Sequence, residues 1–237
     1  MSMALTRSIA AVDWPQAVRD LDAEGVAVLP RLLDTRQCTT LRGLYARAER
    51  FRSRVVMDRH GFGRGEYQYF AEPLPSVVQA LRELIYPHLV PLANAWVQRL
   101  REVQTFPAAH TEFRAQCHAA GQRRPTPLLL RYGAGDYNCL HQDLYGELAF
   151  PLQVIVMLSE LVTDYDGGEL VLVEQRPRRQ SRPRVVPLQR GEAAIIAVNS
   201  RPVTGQRGDY RVKLKHGVST VRRGERYTLG VIFHDAR

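Results

Sequence analysis

A chain of 237 residues, 45% of them hydrophobic, can build one domain with elaborations or two small ones around a sizeable core. No apolar run approaches the roughly 18 residues of a membrane span. Residues 1–14 lack the apolar stretch and cleavage site of a signal peptide. Three scattered cysteines, Cys38, Cys117 and Cys139, argue against a disulfide framework and fit a reducing cytoplasm. The net charge is +9, and of the 33 basic residues only Lys213 and Lys215 are lysines, the rest being arginines. Such a balance either attracts a polyanion such as nucleic acid or simply solvates the surface.

The first half reads as mainly helical. Residues 14–21 carry apolar side chains at helical spacing, and Asp34 is placed to cap a helix running through Leu41, Leu44 and Tyr45. Residues 61–70, glycine-rich and then aromatic, read as a loop or short hairpin. Residues 77–100 form a longer periodic segment that Pro87 and Pro91 are expected to break or bend. The second half changes character. Short runs rich in Val, Ile, Leu and Tyr occur at 128–132, 150–158, 170–173, 193–198, 210–214 and 227–233, with turn signals between them. Many short strands with regular turns point to a sandwich or barrel. Arg176, Arg178, Arg179, Arg182 and Arg184 alternate with Pro177 and Pro183. They read as an exposed loop between strands, either a phosphate-backbone contact or a solvated segment.

The chemistry concentrates at His141-Gln142-Asp143, with His216 and Arg226 following. In an extended segment residues two apart point to the same side, so one backbone stretch supplies an imidazole and a carboxylate. His216 ends an alternating run that can return across a barrel. Two histidines and one carboxylate form the facial triad of non-haem Fe(II), which leaves coordination positions open. Zinc with mixed ligands is the main metal alternative. His-x-Asp alone is a weak signal, and His60, His88, His110, His118 and His234 read as structural. Arg226 opens the last strand-like run, where its guanidinium can fork onto an acidic co-substrate. Asn138, Gln142 and Tyr145 flank the ligand segment as candidate substrate contacts. Tyr67 and Tyr69 belong to a possible aromatic lid, with core packing the competing reading.

Over residues 128–233 the chain resembles the Fe(II)/2-oxoglutarate dioxygenase superfamily. The matching residues are His141-x-Asp143, Asp166-Gly167-Gly168-Glu169-Leu170, His216-Gly217-Val218 and Arg226. The Gly-Gly-Glu-Leu turn is similar to one in prolyl-hydroxylase-like members. Residues 130–135 followed by His141-Gln142-Asp143 resemble AlkB-type nucleic-acid dealkylases. Over its whole length the chain resembles a bacterial family labelled as an oxygenase acting on damaged DNA. The resemblance implies an α+β fold with a double-stranded β-helix (jelly roll) core and N-terminal helices packed against it. It implies one domain over 1–237, with 1–127 as support and 128–237 as catalytic core. The implied cofactor is Fe(II), held by His141, Asp143 and His216. The implied co-substrates are O2 and 2-oxoglutarate, the latter bound by Arg226 and Tyr132. The expected reaction is hydroxylation or oxidative demethylation, with alkylated nucleic acid one candidate substrate. A protein side chain or a small molecule is the alternative substrate. A non-catalytic metal-binding sensor and a zinc hydrolase are the alternative functions.

Overall fold

The computed structural model describes residues 3–144 and 146–237. The first half contains α1 (Met3–Ala10), α2 (Trp14–Glu24), β1 (Val26–Leu29), α3 (Thr35–Leu44), β2 (Phe51–Val56), β3 (Gly63–Arg64), β4 (Glu66–Phe70), α4 (Ser76–Arg99) and α5 (His110–Ala119). The second half contains β5 (Leu128–Tyr132), β6 (Tyr137–His141), β7 (Leu152–Met157), β8 (Tyr165–Gly167), β9 (Leu170–Gln175), β10 (Arg182–Val186), β11 (Ala193–Ala197), β12 (Ser200–Gly205), β13 (Gly208–Val218), β14 (Val221–Gly224) and β15 (Arg226–Ile232). Local rules set the helix starts. Asp13 accepts from the Gln16 backbone N–H to begin α2. Asp34 and Gln37 form a reciprocal capping box at the start of α3.

Two antiparallel sheets make the jelly-roll core. The larger is ordered β1-β11-β7-β15-β5-β4-β2, and the smaller β10-β9-β13-β6-β3, with β12 also pairing β13. Alternation along the large sheet sorts its two faces. Leu129, Val154, Val156, Ile195, Leu229 and Val231 pack outward against Leu21, Leu81, Ile85, Leu89 and Trp96 of α2 and α4. Tyr132, Met157, Ala194 and Ile196 face the other way, with Leu170 and Leu172 of the small sheet. The helices therefore brace one face of the large sheet and leave its other face to a cavity between the sheets.

Three expectations change. The first half is not only helical support, because β1, β2 and β4 extend the large sheet and β3 edges the small one. Their side chains complete faces that the second half leaves open, so tertiary pairing decides these short segments. α4 runs unbroken through Pro87 and Pro91. Each proline removes an intrahelical bond, but twelve of the helix's residues are buried and hold it against the sheet. Finally, Arg182 and Arg184 are not in a loop. They lie on β10, the edge strand of the small sheet, where Pro183 is tolerated.

Candidate active site

Strand register brings the ligand candidates together. His141 at the end of β6 sits directly opposite His216 on β13, and the register shifts by one residue before Val218 pairs with Asn138. This bulge turns both Asn138 and His141 toward the cavity. His216 Nε2 lies 3.2 Å from Asp143 Oδ2, and His141 Nε2 lies 3.6 Å from Asp143 Oδ1. One donor atom from each of His141, Asp143 and His216 falls within 4.8 Å of the others, so the three could hold one metal ion. His141 Nδ1 is 2.8 Å from the Cys139 carbonyl oxygen. Donating there leaves the Nε2 lone pair facing Asp143 and fixes the ring.

The charges suit such an ion. Burial, and then the neighbouring His216, push the His141 imidazole below the usual histidine range. Burial opposes ionisation of Asp143, yet its contacts with His216, the charge of His141 and the Gln153 amide hold it below the usual carboxylate range. Gln153 is a residue that the sequence reading missed. Its amide donates to Asp143 Oδ2 at 2.8 Å and lies 3.2 Å from His216 Nε2. The available signal was a lone polar side chain in the apolar strand Leu152–Met157.

Arg226 lies opposite Tyr132 where β15 pairs with β5, so both point to the cavity face. The guanidinium sits 5.5 Å over the Tyr132 ring. Arg226 is 1% exposed, and its Nε, Nη1 and Nη2 have no hydrogen-bond partner among the described residues. Burial lowers its pKa, with the Tyr132 and Tyr165 phenols opposing that shift. Burial likewise pushes the Tyr132 phenol up to about 12. Its oxygen accepts from Asn138 Nδ2 at 3.2 Å, so its own proton remains available to donate. A bound anion with two oxygens would satisfy the guanidinium fork.

These groups line one cavity of about 340 Å³. His141, Asp143, His216 and Arg226 are its ionisable walls. Leu128, Leu130, Ile155, Leu170 and Val218 form an apolar interior, and Phe62, Leu140 and Leu144 line its exposed side.

The remaining candidates divide. Asn138 and Tyr67 line the cavity. Gln142 also lines it, but its amide is bound to Asn199 and to the Leu214 carbonyl, so it ties strands together. Tyr69 is buried on the same sheet face, edge-on to Tyr67 at 5.4 Å and beneath the Arg52 guanidinium, and is outside the lining. Tyr145 lies outside the described residues. Of the arginine cluster, Arg176 pairs with Glu174 at 2.6 Å, and Arg182 and Arg184 pair with Glu24. Arg178 and Arg179 are exposed on the turn between β9 and β10. Among the described residues no helix is long and apolar enough to cross a membrane.

The architecture matches solved structures across nearly the whole chain. One is a prolyl-4-hydroxylase from Pseudomonas putida, 15% identical, covering 94% of this chain and 99% of that one, with a TM-score of 0.53. Another is an oxidoreductase of the 2OG-Fe(II) oxygenase family from Burkholderia pseudomallei, 16% identical, covering 94% and 91%, with a TM-score of 0.54. A third is a prolyl 4-hydroxylase from Phytophthora capsici, 17% identical, covering 97% and 63%, with a TM-score of 0.56. These likenesses establish the fold class, the jelly roll of the 2-oxoglutarate and Fe(II) oxygenases. Residues 65–236 match the family described as an oxygenase catalysing oxidative methylation of damaged DNA, and the chain belongs to that family. It is thus an oxygenase. An uncharacterized protein of Mycobacterium tuberculosis, found in strains CDC 1551 and H37Rv, is 47% identical over 195 residues, 81% of this chain and 84% of its own.

Proposed function

We propose that this oxygenase uses Fe(II), 2-oxoglutarate and O2 to hydroxylate or oxidatively demethylate its substrate, and that alkylated nucleic acid is that substrate. The observation that carries the co-substrate is Arg226, a buried, unpartnered guanidinium opening on the same cavity as a His-Asp-His donor set. A buried cation without a counter-charge is costly, and a dicarboxylate bound at the metal supplies one.

In this reading His141, Asp143 and His216 hold the iron, which when bound supplies the oxidative chemistry that side chains lack. Cys139 O and Gln153 orient two of those ligands. Arg226 and the Tyr132 hydroxyl take the far carboxylate of 2-oxoglutarate. The apolar walls Leu128, Leu130 and Ile155 exclude bulk water from the reacting region. Residues 1–237 act as one domain, in which β1–β4 of the first half complete the sheets of the 128–237 core and the helices brace it.

The family description concerns damaged DNA, and the net charge of +9 favours a polyanion. The pairing of Arg176, Arg182 and Arg184 within the chain reduces the contribution of that cluster and leaves Arg178 and Arg179 as its exposed cations without an ion pair among the described residues.

The test is an anaerobic titration of the protein with Fe(II) and then 2-oxoglutarate, followed by visible absorbance. A weak charge-transfer band is expected for the wild type. Iron binding without a band would reject the co-substrate assignment and advance the sensor or hydrolase alternative. For the substrate, affinity for a methylated oligonucleotide should fall steeply with salt. Salt-independent binding would point to a peptide or metabolite instead.

A further inference from the structure

Alternation along β13 sends Val212, Leu214 and His216 inward, where they are buried, and Arg211, Lys213 and Lys215 outward, where they are exposed. The strand that brings His216 to the cavity therefore presents a row of three cations on its back. Lys213 and Lys215 are the only lysines among the chain's 33 basic residues, and they are neighbours on one face.

Their surroundings do not neutralise them. Lys213 lies opposite Ser200 of β12 and Gln175 of β9, and Lys215 lies opposite Val173. Neither lysine makes a hydrogen bond or an ion pair among the described residues. Arg211 pairs with Glu102 at 2.7 Å, but the two side chains are 43% and 41% exposed, so water screens the pair. The nearby acids of β9 are engaged elsewhere. Glu174 pairs with Arg176 and Arg201, and Glu169, just before the strand, is held by Ser219 and Arg222. Past Lys215 the face is neutral, with Val171, Pro183 and Val185. At the other end, β9 runs through Gln175 into the turn that carries the exposed Arg178 and Arg179.

Lysines on an edge strand often serve to block pairing between sheets. That reason does not apply here, because β13 is an interior strand and Lys213 has a strand on each side. Side chains two apart on a strand are separated by about 6.8 Å. That lies within the Debye length of about 10 Å at 0.1 M salt, so the three cations repel one another. A linear polyanion relieves this repulsion, and the repeat is close to that of successive phosphates along a nucleic-acid strand. An ammonium meets a phosphate as a point charge, without the fixed geometry of a guanidinium fork. Such contacts hold a backbone in place and carry no sequence information.

We propose that the outer face of the small sheet, centred on Arg211, Lys213 and Lys215 with Arg178 and Arg179 at its end, binds the phosphate backbone of the nucleic-acid substrate. The face holds the strand on the back of the wall that carries His216, and the cavity on the other side does the chemistry. The inference rests on the nucleic-acid reading above.

The test measures the affinity of the full chain for a fluorescein-labelled single-stranded DNA oligonucleotide of mixed sequence, by anisotropy over a range of salt. The Arg211→Gln, Lys213→Gln, Lys215→Gln triple variant should bind about 10–100-fold more weakly at 0.1 M salt, with a salt slope shallower by about 2. A control variant loses the same charge at Arg7, Arg36 and Arg47, each changed to Gln; these are exposed in and beside α1 and α3. It should stay within about three-fold of the wild type. The scarcity of lysine allows a second measurement on the unaltered protein. An amine-acylating reagent modifies only Lys213, Lys215 and the N-terminus, and saturating oligonucleotide should protect both lysines, as read by peptide mass spectrometry.

If the wild type binds the oligonucleotide while both lysines acylate as fast as in the free protein, the surface is overturned and the nucleic-acid reading stands. Equal losses in the triple and control variants would overturn it as well, leaving only diffuse charge. Protection by anionic phosphatidylserine vesicles but not by oligonucleotide would replace nucleic acid with a membrane and overturn the proposal. No salt-dependent binding by the wild type would overturn both the surface and the nucleic-acid reading. Should Lys215→Gln disturb its neighbour His216, the Arg211→Gln, Lys213→Gln double variant decides, with a slope shallower by about 1.4.

Discussion

Replacing Arg226 with leucine should separate stability from binding in opposite directions. In the free protein the guanidinium is 1% exposed and its three nitrogens lack hydrogen-bond partners among the described residues. Stranding a charge in this way costs several kcal/mol, and replacing buried ionic groups by apolar ones commonly gains about 1–4 kcal/mol. Leucine fills less of the slot beside Gly168 and Val221, and a small cavity returns about 1 kcal/mol of that gain. The metal-free variant should therefore match or exceed the wild type in stability by about 0–3 kcal/mol. Binding should move the other way. Two charge-assisted bonds of about 1.5–3 kcal/mol each are lost, which weakens 2-oxoglutarate by roughly 10²–10⁴-fold. Urea denaturation of the metal-free protein reads the first effect, and of the metal-loaded protein with and without 2-oxoglutarate the second, because a ligand that binds only the native state stabilises it by mass action. At a 2-oxoglutarate concentration that saturates the wild type, the metal-loaded wild type should gain stability from it and the metal-loaded variant should gain far less. A variant destabilised by more than about 2 kcal/mol that still gains stability from 2-oxoglutarate would refute the argument.

Further outcomes follow from the same geometry. His216→Ala or Asp143→Ala should abolish iron binding and turnover, since each deletes a metal donor; equilibrium dialysis against Fe(II) checks this, and normal iron content in either variant would displace the site. Gln153→Leu should keep the fold, being apolar in an apolar strand, yet weaken iron binding about 10–100-fold through the lost bond to Asp143; unchanged affinity would reduce Gln153 to packing. Stability should also fall as the solution is acidified from neutrality. Burial lowers the pKa values of His110 and His234 to about 4, below the roughly 6.5 of an unfolded histidine. Their contribution is present above pH 6.5 and is lost as the pH falls toward 4, because the unfolded chain then binds protons that the native state excludes. Urea midpoints that stay flat from pH 7 to pH 4.5 would contradict that linkage.

The parts of this protein that depend on near neighbours were legible in its residues. Asp34 caps α3 as its place before an apolar repeat implied, and the apolar runs of the second half became β5, β7, β9, β11, β13 and β15. His141 and Asp143 were recognisable because their chemistry and spacing survive in any extended segment. The resemblance then supplied a fold that the likeness to solved jelly rolls bears out. The unforeseen parts were those decided by contacts distant in sequence. β1, β2, β3 and β4 are strands because sheet edges formed by the second half await partners. α4 continues through two prolines because burial along its length outweighs the missing bonds. The arginine cluster looked free until folding set Glu24 and Glu174 beside it. Most tellingly, neither the isolation of Arg226 nor the grip of Gln153 on Asp143 can be read from the chain. Whether a charge is stranded or paired depends on which side chains the sheets bring within a few ångströms of it. Sequence determined the kinds of atoms at this centre, and tertiary packing decided their distances, burial and freedom to bind.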